Sequence, residues 1–193
     1  MKKQIKTTLS YLFNGLVLLR LKKYGRNNYI GKRLQVHLPQ CIIIGSNVRL
    51  GRDCRLSCYR SSDYPNGGTI HIGDNCYIGD HFSALSGSEI VIENDVLIAS
   101  YVSVIAENHG MDASSSTKYG LQPLDGKPVI IKKGAWIGEK VIILQGVTIG
   151  EKSIIGSGSV VTKTVPDYCM AVGNPAKIIK KWDSNINEWI LIK

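Results

Sequence analysis

The sequence predicts an all-β solenoid, and three observations lead there. Branched aliphatic residues recur six apart without a slip at Ile131, Ile137, Ile143, Ile149, Ile155 and Val161. A helix repeats at about 3.6 and a strand at about 2, so six in series fits neither as a single element. Glycine follows the aliphatic at Ile44, Leu50, Ile72, Ile78, Ile137, Ile149 and Ile155, and Asn47, Asp53 and Asn75 stand within three residues of theirs. Such residues tolerate the positive φ that a tight corner demands. Short strands joined by these corners, each turning one apolar side chain inward, stack into a continuous core.

The N-terminal segment, residues 1–26, reads as an amphipathic helix over 3–24, with Ile5, Leu9, Leu12, Phe13, Leu16 and Leu19 at helical spacing. Lys2 and Lys3 before an apolar run imitate a secretion leader, but Arg20-Leu21-Lys22-Lys23 follows with no small-x-small cleavage site. The run is shorter than the roughly 20 apolar residues that cross a bilayer. Two readings of the helix stand. It packs on the solenoid or a partner subunit, or it makes peripheral contact with a membrane through residues 3–24. Its polar face carries little charge before Arg20, which favours packing.

Residues 27–170 form the solenoid domain. Three hexads make one triangular coil, so about five coils are expected, at 44–61, 72–89, 92–109, 131–148 and 149–166. Three breaks interrupt them. One runs from Cys58 to Thr69, one is a two-residue slip at Gly87-Ser88, and one is a long excursion over residues 110–128. Residues 171–193 read as a short closing helix, with Pro175 in its first turn and Ile178, Ile179, Trp182, Ile186 and Trp189 as its apolar face.

The 193 residues suffice for one domain with a sizeable core. The formal net charge is +9, with basic residues crowding both ends, but no aromatic-interleaved basic stripe accompanies them, so nucleic acid is not an expected partner. Five cysteines form no Cys-x-x-Cys pair. Cys54 and Cys76 fall four residues after Leu50 and Ile72, where a small inward side chain belongs, which predicts reduced, buried thiols in a cytoplasmic protein.

A uniform repeat carries no chemistry, so function is sought where the repeat breaks. His109 closes a coil immediately before the long excursion, in Ala106-Glu107-Asn108-His109-Gly110-Met111-Asp112. A junction of rigid scaffold and loop can hold a general base beside a pocket, and histidine titrates near neutrality. Glu107 and Asp112 are candidate carboxylates to orient its ring.

With His109 before the loop, Gly134-Ala135-Trp136-Ile137-Gly138 after it, Ile149-Gly150 leading to Ile155-Gly156-Ser157-Gly158-Ser159-Val160-Val161-Thr162-Lys163, and Gly173-Asn174-Pro175-Ala176-Lys177, the chain resembles the hexapeptide-repeat acyltransferases over residues 40–182. It looks most like their maltose, galactoside, xenobiotic and capsular-polysaccharide O-acetyltransferases. The resemblance implies a left-handed parallel β-helix and a homotrimer with active sites between subunits. It implies acetyl-CoA as co-substrate, a sugar or glycan acceptor and no required metal. It casts His109 as catalytic base, the backbone N–H of Glu139 as oxyanion donor and Trp136 as a wall of the site. Ser157, Thr162 and Lys163 would touch the pantetheine arm, and Lys177 and Lys180 the nucleotide phosphates. The acceptor side departs from the pattern. Maltose- and galactoside-type relatives carry an aspartate in the two-residue slip, whereas Gly87 stands here, flanked by Ser86, Ser88 and Glu89, and Ser86 and Ser88 are taken as the acceptor contacts.

Surface polysaccharide biosynthesis is the implied setting, in the cytoplasm or at the inner face of the membrane. N-acetylation of a nucleotide-linked amino sugar is the alternative; such relatives usually bring an N-terminal nucleotide-binding domain, for which residues 1–40 are too short. A carbonic-anhydrase-like zinc site needs a close histidine pair, and His37, His71, His81 and His109 supply none. A non-catalytic scaffold would have no use for His109.

Overall fold

A computed structural model of the chain describes Leu12 and residues 14–192. Ile5, Leu9 and Phe13 of the expected helix lie outside the described residues. Three parallel sheets wrap the chain into a triangular prism of six coils. Face one stacks Lys23–Tyr24, Ile42–Ile44, Thr69–Ile72, Glu89–Ile92, Val129–Ile131 and Thr148–Ile149. Face two stacks Tyr29–Ile30, Arg49–Leu50, Tyr77–Ile78, Leu97–Ile98, Trp136–Ile137 and Ile154–Ile155. Face three stacks Gln35–His37, Arg55–Cys58, Ser83–Ser86, Ser103–Ala106, Ile142–Ile143 and Val160–Val161.

The six-residue beat is the register of these faces. On face two, Ile30, Leu50, Ile78, Ile98, Ile137 and Ile155 stand one above the next. On face three the column is Val36, Leu56, Ala84, Val104, Ile143 and Val161. From Ile42 to Ile155 the inward aliphatics are inaccessible to solvent. Burying each such side chain stabilises the fold by about 1.5–3 kcal/mol. The corners behave as their residues predict: Asn47, Asp53 and Asn75 have φ of 58°, 56° and 58°. All five cysteines are buried and free.

The structure corrects three expectations. There are six coils rather than about five, because the first begins at Lys23. Tyr24, Ile30 and Val36 keep the beat, in register with Ile44, Leu50 and Leu56, but an aromatic at the first position hides it.

The helix is shorter than 3–24 and turns the other way. Helical geometry ends at Leu18, and Lys23 is already in a strand. Asn14, Leu18 and Leu21 are buried, whereas Leu12, Leu16 and Leu19 of the expected apolar face are exposed. The Asn14 amide donates to the Gly31 carbonyl at 2.9 Å. That bond and the seating of Leu18 and Leu21 in the core lay the helix across the open end of the prism.

Residues 171–193 hold no helix among the described residues. Cys169–Gly173, Ala176–Asp183 and Glu188–Leu191 extend face two, the last two running antiparallel. The apolar spacing satisfied both periods. The β-branched pair Ile178-Ile179 and the turn at 183–187 decide for strand, with Asp183 Oδ1 accepting from Asn185 N at 2.9 Å and Asn187 at φ 55°. Trp182 and Trp189 sit opposite each other across this hairpin, ring centroids 5.5 Å apart.

Topology adds what periodicity does not hold. All three breaks leave face three and return to face one, so they stack on one edge of the prism.

Candidate active site

His109 sits at the base of the excursion. Asn108–His109 pairs antiparallel with Leu124–Asp125, and Gly110 N donates to the Pro123 carbonyl at 2.9 Å. The short ladder fixes the backbone of His109 while its residue stays exposed. Gln122 is the organiser that sequence reasoning missed. It is buried, accepts from Asp112 N through Oε1 and donates through Nε2 to the carbonyls of Asp112 and Thr117, each at 3.0 Å. A glutamine in a polar loop gives no local signal of such a role. Asp112 is engaged within the loop: its Oδ1 accepts from the Ser114 hydroxyl and N–H, and the hydroxyl holds its carboxyl below the usual range. That leaves Glu107 as the uncommitted carboxylate of the two beside His109.

The slip corrects the acceptor contacts. Ser86 and Ser88 are fully buried, their hydroxyls donating to the carbonyls of Thr69 (3.0 Å) and Ala106 (3.1 Å). At the slip the Ala106 carbonyl also accepts from Gly87 N at 3.2 Å, so the Ser88 hydroxyl is its second donor. They therefore brace the edge rather than face an acceptor. Around them the breaks touch one another. The Ser61 hydroxyl donates to the Gly87 carbonyl at 2.7 Å, and Gly126 passes so close to Ala106 that a Cβ there would meet its oxygen at 2.7 Å.

A second group lies on the edge between faces two and three. Trp136 is about half exposed on face two, between Leu97 and Ile154 in register. The N–H of Glu139 donates to the Ser157 hydroxyl at 3.1 Å, joining two of the expected site residues. Ser157 so placed keeps its own O–H free to donate outward. Gly138 is required there, since a Cβ would meet Ser157 N at 2.6 Å. A concavity of about 400 Å³ runs beside them, lined by Arg49, Tyr77, Asp80, Leu97, Trp136 and Glu139. Arg49 is sandwiched between Tyr29 and Tyr77, 5.4 and 5.2 Å from their ring centroids. The signal for this surface was the residue just before each face-two aliphatic: Tyr29, Arg49, Tyr77, Leu97 and Trp136.

The expected site residues thus divide. Thr162 and Lys163 are exposed on the edge that carries His109. Glu139 and Ser157 occupy the other edge, and Lys177 and Lys180 lie on the antiparallel extension of face two. Face three separates the edges by a four-residue strand such as Ser103–Ala106, roughly 13 Å. One chain therefore does not bring His109 and the Glu139 N–H to a single carbonyl. Among the described residues no three His, Cys, Asp or Glu side chains converge as a metal site.

Residues 128–163 match the model of the bacterial transferase hexapeptide (six repeats). WbbJ of Escherichia coli, named as an O-acetyl transferase of lipopolysaccharide biosynthesis, is 32% identical over 77% of this chain and 76% of its own length. This chain belongs to the hexapeptide-repeat acyltransferases. Among members of that family, the galactoside O-acetyltransferase of Escherichia coli is 34% identical over 60% of the chain, which spans 55% of that relative. A structure of AntD, an N-acyltransferase from Bacillus cereus in complex with dTDP and coenzyme A, superposes with a TM-score of 0.75 at 26% identity, covering 89% of this chain and 90% of that one. A protein of closely similar fold and of about this chain's size is therefore named as an N-acyltransferase. The shortness of residues 1–40 is therefore no reason against the amino-sugar alternative.

Proposed function

We propose that the protein is an acetyl-CoA-dependent O-acetyltransferase that esterifies a sugar hydroxyl in surface polysaccharide biosynthesis, with His109 as general base. The observation that carries this is the clamped position of His109 on the edge where every break of the repeat converges. The imidazole takes the hydroxyl proton as the sugar oxygen bonds to the thioester carbonyl carbon. The Glu139 N–H receives the negative charge on the carbonyl oxygen once it exchanges its bond to the Ser157 hydroxyl for one to that oxygen. The carbon–sulfur bond then breaks, the thiolate takes the proton back from the imidazolium, and the ester leaves. A positioned base contributes about 10²–10⁴ in rate, and one oxyanion donor about 2.7–4 kcal/mol.

Because base and oxyanion donor lie on different edges, the reading requires a homotrimer in which one subunit's His109 faces another's Trp136 and Glu139. A left-handed coil belongs to the same reading. The acetyl-CoA arm then runs past Ser157, Thr162 and Lys163 toward Lys177 and Lys180. The compartment is cytoplasmic, and any contact with the inner face of the membrane runs through the N-terminal helix.

The likeness to AntD supports a second reading, acylation of a nucleotide-linked amino sugar. One experiment separates them: thiol release from acetyl-CoA is followed across free sugars, lipid-linked oligosaccharides and nucleotide amino sugars, and the product is treated with mild base. An ester loses acetate and an amide keeps it. His109→Ala should abolish thiol release with the trimer intact; undiminished turnover in that variant would sink His109 as the base.

A further inference from the structure

We infer that the N-terminal end of the prism is a docking surface for an anionic lipid bilayer. Leu12, Leu16 and Leu19 stand four and three residues apart, the spacing that makes one stripe along a helix. They are 75%, 83% and 76% exposed, while the opposite side of the helix, Asn14, Leu18 and Leu21, is buried against the first coil. The helix has thus already satisfied its packing and still presents a leucine stripe outward. Capping the core does not need those leucines.

Charge says what the stripe meets. The first 52 residues hold 11 lysines and arginines and no carboxylate. The other 141 residues hold the remaining 13 of 24 cations and all 15 carboxylates. The net positive charge therefore belongs to the first 52 residues. Arg20, Lys22, Lys23 and Arg26 are exposed directly after the stripe. A soluble polyanion would answer the cations and leave three leucines in water. A second copy of the chain would cover the leucines but bring like charge against like charge. An anionic bilayer answers both, with leucines entering the acyl boundary and cations meeting headgroups. If three subunits present their helices on one side, the stripes act together. The inference does not depend on which acceptor is acetylated.

The test is co-sedimentation of the full chain with phosphatidylcholine vesicles with and without phosphatidylglycerol, at low and high salt. Binding should require phosphatidylglycerol and weaken with salt. Neutralising Arg20, Lys22 and Lys23 to glutamine should weaken it about fivefold per charge, about 100-fold together. The triple variant Leu12→Ser, Leu16→Ser, Leu19→Ser should lose binding while keeping its oligomeric mass and turnover. Wild-type protein that stays in solution overturns the inference. So does undiminished binding of the leucine variant, which would mean a polyanion surface only, or a changed oligomeric mass in that variant, which would make the stripe a subunit contact. The charge variant alters no packed residue and keeps the test decisive should the leucine variant misfold.

Discussion

A Cβ placed on Gly87 would stand 2.9 Å from the Cβ of Glu107 on the next coil. Real side chains do not come so close, so the slip has room for backbone alone. That is a physical reason why no aspartate occupies it here. Gly87→Ala is expected to cost about 1–3 kcal/mol through overpacking. Glu107→Gly in the same chain should return part of that loss. Urea unfolding of the two single variants and the double variant measures the coupling; strictly additive effects would show that the contact is not the cause.

Adjacent residues 136 and 137 should behave in opposite ways. Ile137 is inaccessible in the face-two column, and Ile137→Ala is expected to cost about 2–5 kcal/mol. Trp136→Ala, on the outer surface, should change stability by less than about 1 kcal/mol and act on turnover. Thermal unfolding and thiol-release kinetics on both variants check the contrast.

Subunits that are inactive for different reasons should rescue one another. Trimers assembled from equal amounts of His109→Ala and Trp136→Ala chains contain sites in which both edges are wild type, about a quarter of the total for cyclic assembly. Recovery to about that fraction of normal turnover is expected after mixed refolding. Zero recovery would place base and tryptophan in the same chain's site.

The core of this fold was legible because inward side chains answer only to burial, and burial spoke every six residues. Tyr24 concealed the first coil, since an aromatic does not count in an aliphatic tally. The C-terminal hairpin was misread because its apolar residues satisfied two periods at once, and the deciding signal lay in the Asp183–Asn187 turn. Of the candidate site, the place of His109 as the last residue before the excursion was visible. Gln122 was not, because its three bonds join residues distant in the loop. The two serines of the slip looked like contacts until burial showed them spent on carbonyls.

Gln122→Ala should loosen the excursion without unfolding the prism. Three bonds at about 0.5–1.5 kcal/mol each are lost locally. Limited proteolysis should cut within residues 111–121 faster, while global unfolding moves little. Equal protease resistance would mean the antiparallel clamp alone holds the loop.

Burial pushes the thiols of Cys54 and Cys58 up to about 12 and that of Cys76 to about 11, from 9.0. Between 9 and those values the unfolded chain has lost protons that the native chain keeps. The cysteines therefore contribute fully to stability below pH 9, and that contribution fades as pH rises toward 12. Native protein should resist a thiol reagent near neutrality, and its urea midpoint should fall above about pH 9, with a shallower slope in Cys54→Ala.

The glycines at the corners have a consequence for descent. A Cβ on Gly45 would meet the carbonyl carbon of Gly73 at 2.7 Å, and one on Gly79 that of Ala99 at 2.7 Å. Those two seams of the molecule are shut: an added residue there would throw every later column out of step. The third seam releases chain at 59–68 and 107–128 and takes it back with Ile90 still opposite both Ile70 and Val129. Lineages of this protein can therefore lengthen, shorten or exchange whole segments at one margin while the rest stays frozen. Novelty in what is recognised should accumulate there, and gaps between relatives should fall in the same place.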